Sequence, residues 1–190
     1  MTPEKLLGAL EVAGKLKDVM RHSWTAGGRR ESTAEHTFRT ALFAYFVKDE
    51  FPETDIDKVI KMCLIHDLGE SFTGDIPSFE KSKLDEEKEE DMLTGWVVSL
   101  PEPLSSEMLD LYREMSERKT VEAKLYKALD NLEAVVTHNE ADISTWIEKE
   151  YTLNLTYGED KAAFSPYLVE FRKLLRDITE EKVRKKLEDK

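Results

Sequence analysis

Apolar residues recur along this chain at helical spacing in block after block. Leu6, Leu7, Leu10, Ala13, Leu16 and Met20 form the first stripe, which predicts a helix over 3–20 with Thr2 as N-cap and Pro3 at the first helical position. Residues 21–30 follow as a loop, the stretch densest in Gly and Arg. Ser32-Thr33-Ala34-Glu35 reads as a capping box and opens a second helix. Its run from Ala41 to Val47 is apolar all round, which marks it as central to the core. A third helix, from Thr54 or Asp55, carries Ile56, Val59, Ile60, Cys63 and Leu64 on one face. It is expected to run on through His66-Asp67-Leu68-Gly69-Glu70 before the chain turns at Gly74-Asp75-Ile76-Pro77.

A charged helix from Phe79 ends on Met92, Leu93, Trp96, Val97 and Leu100, and Pro101 and Pro103 stop it. Met108, Leu111, Tyr112 and Met115 mark a shorter one. Residues 121–139 form a longer helix with Leu125, Ala128, Leu129, Leu132, Val135 and Val136 inward. After a stretch over 151–158 that is irregular or at most a short helix, Ser165-Pro166 opens the last helix. No repeat, low-complexity tract or linker interrupts the series. The expectation is an all-α bundle of seven or eight helices, residues 1–190 forming one domain.

Composition narrows the reading. Eight Gly and six Pro in 190 residues leave few turns, which argues against a sandwich or barrel. The chain has 28 basic and 40 acidic side chains, a net charge of −12. That balance argues against a nucleic-acid polymer or an anionic membrane as partner, although a local cluster can still hold a small anion. No uncharged run approaches the roughly 18 residues of a membrane span. The apolar stretch over 6–10 is too short for a signal peptide, and Glu11 ends it. The single cysteine, Cys63, excludes an intrachain disulfide or a zinc site built on thiolate pairs, and a cytoplasmic location is expected.

The helical pattern breaks at His66-Asp67. Extending the stripe by one turn calls for apolar residues at 66, 67 and 70, where the sequence has His66, Asp67 and Glu70. Ionisable groups on a buried face must pair or ligate, because an unpaired buried charge costs several kcal/mol. Imidazole with carboxylate suits a divalent metal of middling hardness, and a hydrogen-bonded core pair is the alternative. Two further anomalies favour the metal: His36 begins the nearly all-apolar second helix, and Asp130 interrupts the apolar face over 125–136. A His, a His-Asp pair and an Asp on three core helices could converge.

His36, His66-Asp67 and Asp130 together resemble the H…HD…D signature of the HD-domain metal-dependent phosphohydrolases. The flanking segments Arg-Arg-Glu-Ser-Thr-Ala-Glu-His (29–36), Leu-Ile-His-Asp-Leu-Gly-Glu (64–70), Thr-Gly-Asp-Ile-Pro (73–77) and Lys-Ala-Leu-Asp-Asn-Leu-Glu-Ala (127–134) are similar to the 5′-deoxynucleotidase branch, over about residues 15–140. The resemblance implies an HD-type fold and release of phosphate from (deoxy)nucleoside 5′-monophosphates. It implies one divalent ion (Mn²⁺, Co²⁺ or Mg²⁺) held by His36, His66, Asp67 and Asp130, with Glu70 and Asp75 as acid/base and positioning carboxylates. Arg21 and Trp24 become candidates for phosphate and sugar, with Arg29 or Arg30 as the alternative phosphate ligand. A homodimer is also implied, for which Trp96, Trp146 and the apolar ends of late helices are candidate interface. The lack of any His over 68–129 favours one metal over the dinuclear arrangement.

Three rivals stand beside this reading: an HD enzyme acting on another nucleotide phosphate, a non-catalytic nucleotide sensor, and a helical scaffold with a structural metal. His22 and His138 read as surface residues, Glu89 and Glu90 as a solvated helix face, and Trp24 equally as a packing lid. Asp142 and the Trp146 region carry no chemistry that the sequence argues for.

Overall fold

The structure is a computed structural model that describes residues 1–77 and 79–188. Its elements in chain order are α1 (Pro3–Lys15), β1 (Met20–Trp24), β2 (Arg30–Ser32), α2 (Thr33–Phe46), α3 (Ile56–Ile65), α4 (Glu70–Thr73), α5 (Lys83–Ser99), α6 (Leu104–Glu117), α7 (Val121–Glu140), α8 (Glu150–Thr156), α9 (Glu159–Ala162) and α10 (Pro166–Glu188). Among the described residues eight helices have seven or more residues, so the all-α expectation holds.

Helix α7 is the axis of the molecule, touching α2, α3, α6, α9, α10 and β1. Its Leu125, Ala128, Leu129, Leu132 and Val135 meet Ala41 and Ala44 of α2, Val59, Met62 and Cys63 of α3, and Leu168 and Leu175 of α10 in one core. A smaller cluster, built on Leu16, Leu68, Val97 and Met108, joins α5 and α6 to the turn after α3. The capping box at Ser32 and Glu35 forms as the sequence indicates: Glu35 N–H donates to Ser32 Oγ, and Ser32 N–H donates to Glu35 Oε2.

Three sequence expectations are corrected. The first helix ends at Lys15 and not at Met20, because residues 20–24 and 30–32 pair as an antiparallel hairpin that replaces the expected loop. Helix α1 buries none of its residues, and Leu6, Leu7 and Leu10 of its stripe lie exposed. The third helix does not continue through Glu70. It stops at Ile65, whose carbonyl accepts the Tyr112 hydroxyl at 2.7 Å, and Leu68, Glu70, Ser71 and Phe72 each bond the carbonyl three residues back. Those tighter turns depart from α-helical geometry and lead into the single turn of α4. Gly69 within them is closely covered: a Cβ there would lie 2.7 Å from Glu89 Cγ of α5, so the Glu89 side chain would have to shift.

Candidate active site

Four of the sequence-predicted residues converge. His36 Nε2 lies 3.1 Å from Asp130 Oδ1 and 3.3 Å from His66 Nε2, and His66 Nε2 lies 3.1 Å from Asp67 Oδ2. The cross distances are 3.8 Å from His36 Nε2 to Asp67 Oδ2 and 3.6 Å from His66 Nε2 to Asp130 Oδ1. Neighbouring ligands of an ion with bonds of about 2.1 Å are themselves roughly 3.0–3.4 Å apart, so the spacing fits a single cation. The tight turn after Ile65 contributes here: it brings adjacent side chains, His66 and Asp67, to the same point.

The contacts behind these atoms fix which lone pairs face inward. His36 Nδ1 is bonded to Glu133 and His66 Nδ1 donates to the Cys63 carbonyl at 2.7 Å. With both Nδ1 atoms serving as donors, each ring in its neutral form would turn an Nε2 lone pair toward the other and toward two carboxylates. Asp130 is held by its second oxygen, which accepts from Lys127 Nζ at 2.7 Å. Four converging lone pairs repel unless a positive charge lies among them. Burial opposes protonation of His66, yet Asp67 and Asp130 together hold its pKa well above the usual imidazole value, so these carboxylates call for a positive charge beside them. The donor set therefore fits a divalent ion.

Glu70 is buried and accepts from Thr33 Oγ1 at 2.8 Å. Burial, with Asp67 and Asp75 nearby, pushes its carboxyl up to about 9. Neither Lys61 nor Arg39 pairs with Glu70: Lys61 bonds Glu107, and Arg39 bonds Glu133 and Glu140. Glu70 and Asp75 line a cavity of about 250 Å³ together with His36, Asp67, Asp130, Lys81 and Lys127. A cavity of that size suits a small molecule and not a polymer.

Arg21 also lines this cavity. Its Nη1 is buried without a hydrogen-bond partner, 3.6 Å from Glu31 Oε2 and 3.8 Å from Glu133 Oε2. Trp24, Arg29 and Arg30 are not among the lining residues. Arg29 is exposed and pairs with Glu35, while the Arg30 guanidinium lies 4.8 Å over the Trp24 ring and bonds the His22 carbonyl.

Several readings of the sequence change. His138 is buried and His22 half-buried, and both face Glu150 in the cavity wall. Glu89 is not solvated: it accepts from Thr73 Oγ1 and Lys81 Nζ. Trp146 is buried, donating from Nε1 to the His138 carbonyl at 3.0 Å, so it offers no surface to a second copy. Glu133 and Lys81 were not singled out by the sequence reading. The spacing of Glu133 from Asp130, one turn along α7, was the available signal.

Comparison with known proteins agrees with this geometry. The HD domain family matches residues 13–171. The human 5′-deoxynucleotidase HDDC2 is 32% identical over 139 residues, 71% of this chain and 67% of its own. The 5′-deoxynucleotidase hdd1 of Schizosaccharomyces pombe is 27% identical over 74% of this chain and 79% of its own. A crystal structure of a predicted metal-dependent phosphohydrolase from Magnetospirillum magnetotacticum superposes with a TM-score of 0.79 at 25% identity, covering 94% of this chain and 93% of that one. With a family match over most of its length and relatives above 30% identity, this chain belongs to the HD-domain family.

Proposed function

We propose that the protein is a metal-dependent 5′-deoxynucleotidase, releasing phosphate from deoxyribonucleoside 5′-monophosphates. The observation that carries this reading is the set of converging donors on His36, His66, Asp67 and Asp130, of which His36, Asp67 and Asp130 line one cavity with Arg21. The names of the relatives, 5′-deoxynucleotidases from human to yeast, point the same way.

His36, His66, Asp67 and Asp130 hold the ion, here one of Mn²⁺, Co²⁺ or Mg²⁺. A bound divalent ion supplies Lewis acidity toward a phosphate oxygen and lowers the pKa of a water. Arg21, which lines the cavity, takes a phosphate oxygen in a charge-assisted bond, and Glu31 and Glu133 beside its Nη1 hold the guanidinium in place. Glu70 takes a proton from the attacking water and gives it to the leaving 5′ oxygen. Asp75 positions that water from the same wall. A single domain in the cytoplasm belongs to this reading, and the exposed Leu6, Leu7 and Leu10 of α1 support a homodimer. No helix among the described residues is long and apolar enough to cross a membrane.

The test is a screen of nucleoside 5′-mono-, di- and triphosphates with Mn²⁺, Co²⁺ or Mg²⁺. Phosphate release from the deoxy monophosphates, abolished by chelation, is the expected result. Hydrolysis of triphosphates alone would move the chain to another branch of the family.

A further inference from the structure

A second set of metal-type ligands stands in the same cavity, apart from the four residues already described. His22 comes from β1, His138 from the last turn of α7, and Glu150 from the first residue of α8. His22 Nε2 lies 2.9 Å and His138 Nε2 3.6 Å from one and the same oxygen, Glu150 Oε1. The three ligand atoms all fall within 4.8 Å of one another. We propose that His22, His138 and Glu150 form a second divalent-metal site, suited to a borderline ion such as Zn²⁺.

The chemistry of each donor supports this. Glu150 is buried, and its other oxygen accepts the Ile147 N–H at 2.8 Å, which fixes the carboxylate and leaves Oε1 for a ligand. The His138 ring is buried and makes no hydrogen bond among the described residues; its approach to Glu150 is too long for one. Two ligands of a tetrahedral ion with bonds of about 2.1 Å lie roughly 3.4 Å apart, close to that separation. Two imidazoles and one carboxylate are a donor set that zinc accepts with a fourth position left open. All three residues line the cavity shared with Asp67 and Asp130. Phe79 packs edge-on against the His22 ring, their centroids 5.4 Å apart, and restrains it from the outer side.

The sites are separable because they share no ligand. The experiment loads metal-stripped protein with Zn²⁺, removes free ion by gel filtration and counts Zn²⁺ per chain in wild type, Glu150→Gln, His22→Asn and Asp67→Asn. Glu150→Gln keeps an acceptor for the Ile147 N–H while replacing the ligating oxygen with an amide nitrogen. His22→Asn alters a half-buried position and guards against a folding defect, which circular dichroism would show. Anomalous diffraction at the zinc edge locates the ions in wild type. The expected result is two ions in wild type and one in each of Glu150→Gln and His22→Asn. A density peak between His22, His138 and Glu150 is expected as well. One ion in wild type that Asp67→Asn removes, with no peak at His138, overturns this site and leaves the proposed phosphohydrolase standing. Two ions in wild type that both survive Asp67→Asn would instead count against the four-residue site.

Discussion

The carboxylate of Glu133 takes the Nδ1 proton of His36, and in doing so turns the Nε2 lone pair of that ring toward Asp130. Glu133 is fully buried, and Arg39 Nε donates to its second oxygen at 2.6 Å. Despite burial, His36, Arg21 and Arg39 hold its carboxyl down at about 2, so it stays charged at any working pH. A charged acceptor behind a metal-ligating imidazole makes that ring a better base, and losing such a partner typically costs about 10–100-fold in metal affinity. Glu133→Gln keeps an acceptor for the Nδ1 proton but loses the charge. Mn²⁺ affinity by calorimetry should fall by about tenfold, and an unchanged value would remove Glu133 from the support of the site.

Metal removal should lower stability as well as activity. The ligands come from α2, the turn after α3, and α7, so an ion joins three parts of the core. An ion present at 100 times its dissociation constant adds about 2.7 kcal/mol if the unfolded chain does not bind it. Chelation should therefore abolish phosphate release and lower the melting temperature, and Asp67→Asn should show the lower temperature with or without metal. A melting temperature indifferent to Mn²⁺ would contradict this.

What the sequence revealed of the site, and what it hid, follows from how far each signal lies from its partner. His66-Asp67 and Asp130 were visible because each interrupts an apolar helical face, where a charge needs a reason. Glu70 was visible by the same rule, although the helix expected to carry it breaks at Ile65 and resumes as α4. The hairpin of β1 and β2 was hidden, since Arg21–Trp24 has no clear alternation and its partner strand is only three residues long. His22 and His138 read as surface residues because Glu150, the group that brings them together, lies on a short helix after an irregular stretch. Glu133 carried no anomaly of its own: its burial is justified by His36 and Arg39, almost a hundred residues earlier.

Glu70→Gln should separate proton transfer from metal binding. Loss of a general acid or base typically costs about 10²–10⁴-fold in rate, so turnover should drop at least a hundredfold while Mn²⁺ is retained. Its titration gives a second readout in metal-free protein. The usual carboxyl value of 4.5 rises to about 9 on folding, so across that window the folded state binds a proton that the unfolded state lacks. Stability from this group therefore falls as pH rises from about 4.5 to 9, and the permanently neutral Gln removes the loss. Wild type should melt lower at pH 9 than at pH 6 when metal-free, with a smaller difference in Glu70→Gln. Equal turnover in the two proteins would pass the proton-transfer role to Asp75.

His138 has the opposite sign. Its pKa falls from 6.5 to about 4 on folding, mainly through burial, so between those values the unfolded state binds the extra proton. Stability is then lost as pH falls from about 6.5 to 4. Metal-free His138→Gln should lose less melting temperature than wild type between pH 7 and pH 4.5. A parallel fall in both would assign the acid sensitivity to other groups.

In the proposed reaction Arg21 holds the substrate's phosphate. Its guanidinium is buried beside Glu31 and Glu133, whose charges, with those of Asp67 and Asp130, outweigh burial and keep it protonated. Arg21→Lys keeps the charge that these carboxylates require, so the fold should be preserved. It loses the planar fork that bonds two phosphate oxygens at once. KM for a deoxynucleoside monophosphate should rise at least tenfold, with a melting temperature close to wild type. Arg29 serves as the control: it is exposed, pairs with Glu35 and does not line the cavity, so Arg29→Ala should leave KM unchanged. The reverse outcome, a normal KM in Arg21→Lys and a raised one in Arg29→Ala, would place the phosphate on the hairpin loop. The free Nη1 of Arg21 would then need another explanation.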